Sequence, residues 1–197
     1  MTNIKKNDNL NESVHGRCNL ANRFDLPDMR SHLLYWPIVI CGIVADLWSK
    51  HAVFMFLGKR VSDGYEYSVI DGFFKLVMRE NSGAAFSIAS GRTVMLVTVS
   101  VVAFVIVVGL FLFGKMHGRL MHIGLALFTA GIVGNLYDRI FNDGYVRDFL
   151  DVYYRDHHWP AFNVADSMLC TAVGLLIITN LMSGFSEKPD PPQTEEL

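Results

Sequence analysis

The stretch TVMLVTVSVVAFVIVVGLFLFG, residues 93–114, contains no charged side chain. A helix rises 1.5 Å per residue, so about 20 apolar residues cross a hydrocarbon core of roughly 30 Å. This stretch is therefore long and apolar enough to span a bilayer on its own. Its many β-branched and aromatic residues are typical of a helix that faces lipid on most sides. The fold class that it predicts is a membrane α-helical protein.

Three further segments reach the length of a membrane span. The segment before residue 93 is the least pure, because Asp46, Lys50 and His51 interrupt it. The segment after residue 114 is rich in glycine and alanine, which let helix backbones approach closely, so we expect a packed central helix. The last segment opens at Trp159-Pro160, and proline suits a first helical turn. We predict four transmembrane helices, over residues 32–57, 93–114, 120–140 and 160–184.

The regions outside the spans differ in character. We predict a disordered polar tail over residues 1–30, a four-helix membrane domain over residues 31–184, and a flexible Pro-rich tail over residues 185–197. Between the first two spans, residues 60–91 show loose alternation broken by Asp71-Gly72, which favours a small extramembrane β-sheet, here termed the cradle. No apolar run precedes residue 33, so we expect the first span to serve as an uncleaved signal.

An even number of spans places both tails on one side of the membrane. Raw counting of basic residues favours the cradle side as the cytoplasmic one. The short basic connection at residues 115–119 favours the tail side instead. We give this connection more weight, because several arginines on the other side lie in segments that read as folded, and we expect both termini in the cytoplasm.

The composition excludes several classes of function. Hydrophobic residues make up 51% of the chain and charged residues 18%, against about 25% charged in an ordinary soluble domain. A net charge of -2 with no massed basic stretch gives no reason to expect nucleic acid as a partner. Cys18, Cys41 and Cys170 lack CxxC spacing, and the histidines show no ligand pattern, so we predict no metal and no cofactor.

Three carboxylates lie within the predicted spans: Asp46, Asp138 and Asp166. Each costs at least a few kcal/mol on insertion scales, so each is a candidate functional residue. Consecutive spans run antiparallel, which places Asp138, near the end of span three, and Asp166, near the start of span four, at similar depth. Each follows an asparagine by three residues, Asn135 and Asn163, a spacing that shares one helix face.

Two carboxylates close together cannot both ionise cheaply, so one keeps a proton while the other activates a water. The pattern therefore predicts peptide hydrolysis without an acyl-enzyme, with Asp138 and Asp166 catalytic. Alternatives remain open. Taken alone, Asp138 followed by Arg139 could be an interfacial ion pair. Asp46 and Lys50, at favourable (i, i+4) spacing, could be either an internal ion pair or a substrate contact.

The same residues argue against three rival functions. A Ser49-Lys50 dyad fails because neighbours on a helix do not face each other, and a Ser82 partner would leave the aspartates unexplained. A proton-coupled transporter would place its charges at midplane in repeated spans, and no internal repeat is visible. A non-enzymatic scaffold would need no buried carboxylates.

Taken in order along the chain, five motifs resemble those of the bacterial lipoprotein signal peptidases (signal peptidase II), over about residues 31–184. The motifs are Asp46-x3-Lys50, Asn81-Ser82-Gly83-Ala84-Ala85-Phe86, Gly134-Asn135-Leu136-Tyr137-Asp138-Arg139, Val146-Arg147-Asp148-Phe149 and Trp159-Pro160-Ala161-Phe162-Asn163-Val164-Ala165-Asp166-Ser167. Any one of them is weak, whereas the ordered set is specific.

The resemblance implies an enzyme of the bacterial inner membrane that cleaves prolipoproteins before a diacylglyceryl-modified cysteine, at an active site toward the outer face. It implies a lipid-modified prolipoprotein as substrate, contact with membrane lipids, and a monomer. It also implies catalytic and supporting residues: Asp138 and Asp166 as the dyad, with Asp46, Lys50, Asn81, Gly83, Asn135, Arg139 and Asn163 around it. The chain departs from the family in its N-terminal extension, in Arg147 where an apolar residue is usual, and in extra residues at 151–158.

Overall fold

The computed structural model describes residues 26–59, 64–83, 91–114 and 118–184. Four helices lie within these ranges: α1 (Met29–Leu57), α2 (Thr93–Phe113), α3 (Arg119–Phe141) and α4 (Val164–Gly184). Four strands accompany them: β1 (Glu66–Ile70), β2 (Phe74–Asn81), β3 (Val146–Tyr154) and β4 (His157–His158). All four helices are long and apolar enough to cross a membrane. The predicted fold class, four spans with a small sheet, is confirmed.

Helix α3 is the central helix of the bundle. Half of the residues in its most apolar stretch are buried, against 17% in each of the other three helices. A Cβ added at Gly131 would lie 2.7 Å from the carbonyl oxygen of Ala165, and one added at Gly134 would lie 2.5 Å from Asp46 Oδ2. The small residues of α3 therefore allow α1 and α4 to approach its backbone, as in other membrane bundles.

An aromatic core fills the end of the bundle where α1 begins. The rings of Tyr35 and Phe111 stack with centroids 3.8 Å apart. The Tyr35 hydroxyl shares a hydrogen bond of 2.7 Å with Thr129 Oγ1, so its polar tip is satisfied in an otherwise apolar setting. This end of the bundle holds no buried charge among the described residues, and the buried charges lie at the opposite end.

The first helix begins inside the segment predicted as a disordered tail. Asp28 is its N-cap, and the carboxylate accepts a hydrogen bond of 3.0 Å from the amide of Ser31, which satisfies a free donor of the first turn. The remainder of the two predicted tails, residues 1–25 and 185–197, lies outside the described residues.

The sheet has the order β1-β2-β3-β4 and is antiparallel throughout. Strands β1 and β2 form the predicted hairpin between α1 and α2. Strands β3 and β4 come from the connection between α3 and α4, which the sequence did not predict as strand. Strand β3 pairs with β2, with Asn81 opposite Val146. This pairing brings the α3–α4 connection against the cradle and places Asp148 beside the start of α4.

Helix α4 starts later than predicted. Residues 159–161 are not helical, and Phe162 forms an isolated bridge to Leu150, with hydrogen bonds of 3.0 and 2.9 Å in the two directions. Asn163 then caps the helix, because its Oδ1 accepts from the Asp166 amide at 3.0 Å and Asp166 Oδ2 accepts from the Asn163 amide at 3.1 Å. This reciprocal pair is a capping box, so Pro160 is not in the first turn.

Candidate active site

A cavity of about 1080 Å³ lies between the sheet and the ends of α3 and α4. Its wall is polar where β2, β3 and α3 meet, and apolar where Phe162 and Leu169 face it. The residues predicted for the site that line this cavity are Asn81, Gly83, Asn135, Arg139 and Asp166, and a further carboxylate, Asp148, lines it with them.

Of the four carboxylates that line the cavity, Glu80, Asp148, Asp151 and Asp166, only Asp148 and Asp166 share a hydrogen-bond donor among the described residues, namely Asn163. Asp148 comes from β3 and is 3% exposed, whereas Asp166 lies in the first turn of α4. Burial first, and the charge of Asp166 second, raise the pKa of Asp148 to about 7, although hydrogen bonds from Asn81 and Asn163 oppose the rise. A carboxyl group with this pKa can hold a proton at neutral pH beside a second carboxyl group, as a dyad requires.

Neutral amides orient both carboxylates. Asn163 donates from Nδ2 to Asp148 Oδ1 at 2.8 Å and from its backbone amide to Asp166 Oδ2 at 3.1 Å. Asn135 Nδ2 donates to Asp166 Oδ1 at 2.8 Å, and Asn81 Nδ2 donates to Asp148 Oδ2 at 3.1 Å. These amides fix the carboxylate positions without adding a charge, so the pair can still share a proton.

Asp138 does not join this pair. Its side chain is fully buried, and it is absent from the residues that line the cavity in the described part of the chain. Asp138 Oδ1 accepts from Arg147 Nη2 at 2.6 Å and Nε at 3.1 Å, and Oδ2 accepts from the Arg147 amide at 3.0 Å. Lys50 Nζ lies 3.2 Å from the same oxygen. Asp166 therefore lines the cavity together with Asp148 and not with Asp138, and a catalytic role for Asp138 stays a prediction.

Asp46 and Lys50 lie behind the cavity as a buried ion pair. Lys50 Nζ is 2.7 Å from Asp46 Oδ2, and both side chains have 0% exposure. Asp46 Oδ1 accepts from the Ala165 amide at 2.8 Å, while Lys50 also donates to Asn135 Oδ1 at 3.3 Å. Of the two roles left open by the sequence, this geometry favours the ion pair, because neither residue lines the cavity. The pair supports the first turn of α4 and the amide of Asn135.

Arg139 holds the end of β2 to α3. Its Nη2 donates to the Gly83 carbonyl at 3.0 Å, and its Nη1 donates to the Asn135 carbonyl at 3.4 Å. The Gly83 amide in turn donates to Asn81 Oδ1 at 2.9 Å, so the turn after β2 is closed on itself. Arg139 Nε is buried and has no hydrogen-bond partner within the described ranges. Arg139 is thus a cation that interacts electrostatically with Asp148 and Asp166, and its Nε is unpaired among the described residues.

Asp148 is not among the candidate carboxylates predicted from the sequence, because those candidates lie within the spans, where a charge is costly. Asp148 lies on a strand outside them, and its burial depends on the pairing of β3 with β2 and on Asn163. One signal was available, because an aspartate between Val146 and Phe149 is unusual in a buried strand.

No group of three or more His, Cys, Asp or Glu side chains that could hold a metal ion occurs over the residues that the structure describes. The sequence prediction of a site without metal remains a prediction.

Comparison with known proteins first defines the class. A bacterial membrane enzyme solved by the in meso method at 2.3 Å resolution superimposes with a TM-score of 0.65 and 27% identity, over 86% of this chain and 98% of that chain. A second, solved at 1.9 Å, gives a TM-score of 0.59 with 28% identity, over 81% and 97%. The fold and the polar site at one end of the bundle identify the chain as a multi-pass membrane enzyme.

The family follows from sequence. The model of the family described as signal peptidase (SPase) II matches residues 38–182. The lipoprotein signal peptidase of Clostridium novyi (strain NT) is 37% identical over 148 residues, which are 75% of this chain and 97% of that protein. That of Sulfurihydrogenibium sp. (strain YO3AOP1) is 43% identical over 141 residues, 68% and 83% of the two chains. The chain belongs to the signal peptidase II family, membrane proteases that process prolipoproteins, and the resemblance seen in the sequence is confirmed.

Proposed function

We propose that this chain is an aspartic endopeptidase that removes signal peptides from prolipoproteins, with Asp148 and Asp166 as the catalytic pair. The observation that carries the proposal is that these two carboxylates face one cavity and share the donor Asn163. The buried charges of Asp138, in contrast, are taken up by Arg147 and Lys50. Asp148 therefore takes the place that the sequence assigned to Asp138.

The chemistry needs one protonated and one ionised carboxyl group. The ionised carboxylate removes a proton from a water, whose oxygen attacks the scissile carbonyl carbon. The protonated carboxyl group gives its proton to the carbonyl oxygen, which forms a tetrahedral diol. When the C–N bond breaks, one hydroxyl returns its proton to a carboxylate and the leaving nitrogen takes a proton from the pair. The raised pKa of Asp148 supports its role as the group that holds the proton near neutral pH.

The site suits a substrate that carries lipid. The cavity combines a polar wall, around the carboxylates, with apolar side chains on α4 such as Leu169. A diacylglyceryl group can remain in the bilayer while the peptide bond reaches the carboxylates by lateral diffusion. This arrangement supports cleavage just before the lipid-modified cysteine, whereas a soluble aspartic protease would need an aqueous cleft.

The proposed setting is the bacterial cytoplasmic membrane. The described chain starts at the aromatic end of the bundle and α4 runs back toward that end, so residues 26 and 184 both lie on the side away from the cavity. We place the termini in the cytoplasm and the active site toward the outer face. We also propose that the protein acts as a monomer, with membrane lipids and prolipoproteins as its partners and no nucleic acid.

The test is cleavage of a diacylglyceryl-modified precursor by the purified protein in detergent, followed by gel shift and by mass of the product. Asp148→Asn and Asp166→Asn should each lower turnover about 1000-fold, within the range of roughly 100- to 10,000-fold that general acid–base groups contribute. Asp138→Asn should retain measurable turnover per folded molecule. Asp143→Asn, an exposed aspartate in the turn before β3, is the matched control. Turnover by Asp148→Asn within tenfold of the unmodified enzyme would refute the assignment.

A further inference from the structure

Arg147 is the residue before Asp148 on β3, yet its guanidinium points back to α3. There it grips Asp138 through two nitrogens, at 2.6 and 3.1 Å, while its backbone amide donates to the other carboxylate oxygen at 3.0 Å. Two guanidinium nitrogens on one carboxylate oxygen, with the backbone amide on the other, make charge-assisted hydrogen bonds that are strong and fix the direction of the carboxylate. The carbonyl of Arg147 also accepts from Asn163 Nδ2 at 3.4 Å. Side chain and backbone of one residue thus tie β3 to both α3 and α4.

The same contact completes a balanced group of charges behind the cavity. Lys50 lies between Asp46, at 2.7 Å, and Asp138, at 3.2 Å. The guanidinium of Arg147 is the second cation, so two cations face two carboxylates. Burying an uncompensated charge costs several kcal/mol, and a balanced group avoids that cost. It also leaves no excess charge of either sign next to Asp148.

We infer that Arg147 is a positioning residue, which acts through Asp138 to hold Asp148 opposite Asp166 and to balance the charge behind the catalytic pair. The inference rests on the proposed function, because it concerns the same two carboxylates. Arg147 itself does not line the cavity. It acts on the strand that carries Asp148 and on the field that the pair experiences.

The charged groups that face Asp148 come from three helices and a strand. Asp166 of α4 is the nearest in effect, and Lys50 of α1 opposes it. Arg139 of α3 interacts with the same carboxylate. From β2, Arg79 stands opposite Asp148 and Glu80 stands opposite Arg147 in the sheet register, and both line the cavity. None of these changes in the variants below, so a shift in pH dependence reports the pair of Arg147 and Asp138.

The experiment compares Arg147→Met, Asp138→Asn and the double variant in the precursor-cleavage assay, with kcat/KM measured against pH. Arg147→Met leaves one excess negative charge, so both limbs of the pH profile should move up by about half a pH unit or more. Asp138→Asn leaves one excess positive charge, so both limbs should move down. The double variant restores the balance and should return the limbs to their original position.

The effect on kcat separates positioning from charge. Arg147→Lys keeps the charge but loses the two fixed guanidinium donors to Asp138 Oδ1, so the limbs of its pH profile should stay in place while kcat falls about tenfold with little change in KM. Arg155→Met, which removes an exposed arginine that stacks on Tyr154 at the end of β3, is the matched control and should match the unmodified enzyme. If Arg147→Met does not fold, two measurements still test the inference. They are the downward shift of the pH profile in Asp138→Asn and the fall in kcat of Arg147→Lys.

Two results would overturn the inference. Limbs that stay in place in Asp138→Asn and Arg147→Met would show that their charges do not act on the pair. If Arg147→Met and Arg147→Lys had the same kcat per folded molecule as Arg155→Met, and only their thermal midpoints were lowered, Arg147 would be merely structural. Failure of the proposed function looks different, since the unmodified enzyme would then not cleave the precursor or Asp148→Asn would remain active.

Discussion

Replacing Gly134 by alanine tests how closely α3 packs against the charges that support the active site. The added Cβ would lie 2.5 Å from Asp46 Oδ2, 3.0 Å from Asp46 Cγ and 3.2 Å from Ala165 Cβ. Asp46 would have to retreat by about 1 Å to reach an ordinary contact distance. It is held by Lys50 at 2.7 Å and by the Ala165 amide at 2.8 Å, so the retreat weakens one of these bonds.

The expected cost combines these effects. Overpacking costs about 1–3 kcal/mol, and weakening a hydrogen bond to a charged group costs part of the roughly 1.5–3 kcal/mol that the intact bond contributes, whereas alanine in a helix regains up to about 1 kcal/mol. We expect a net loss of roughly 2 kcal/mol in the free energy of unfolding, which lowers the thermal midpoint by about 4–8 °C. Turnover should fall as well, because Asp46 holds the amide next to Asp166.

The assay is thermal unfolding of the purified protein in detergent, with precursor cleavage measured on the folded fraction. Gly174→Ala is the matched control, because a Cβ added there meets nothing within 4 Å. Its thermal midpoint should be unchanged or slightly higher. If Gly134→Ala unfolded at the same temperature as Gly174→Ala, the close approach of α3 to Asp46 would be refuted.

Three further predictions concern the charges of the site and its independence of metal. The pKa of Asp148 is about 7 in the folded chain against 3.8 ordinarily, so between about pH 4 and 7 the folded chain holds this proton and the unfolded chain does not. The free energy of unfolding should therefore fall as pH rises through that window, and the thermal midpoint of Asp148→Asn should fall less. Asp46→Ala should lower the thermal midpoint, because Lys50 loses its helical partner, with turnover per folded molecule reduced less than in Asp148→Asn; a fully stable but equally inactive variant would instead give Asp46 a direct catalytic role. Activity should survive dialysis against a chelator, and a loss that zinc restores would contradict a site without metal.

The arrangement of the site shows where sequence reasoning stops. The Asn-x-x-Asp spacing at residues 163–166 was interpreted as one face of a helix, and it is a capping box across the start of α4. Both geometries satisfy the same spacing. Only the bridge from Phe162 to Leu150, which delays the start of the helix, distinguishes them.

What the sequence determined by itself was the membrane fold, the four spans and the family, because apolar length and local motifs are properties of contiguous residues. The tertiary structure decided which carboxylate faces Asp166. Asp138 and Asp148 both lie a short distance before Asp166 in the sequence. Their roles depend on partners on other elements of the fold. Arg147 and Lys50 neutralise the charge of Asp138, whereas the pairing of β3 with β2 places Asp148 at the wall of the cavity. Burial and charge balance in a folded site are long-range properties, so a local pattern could not assign them.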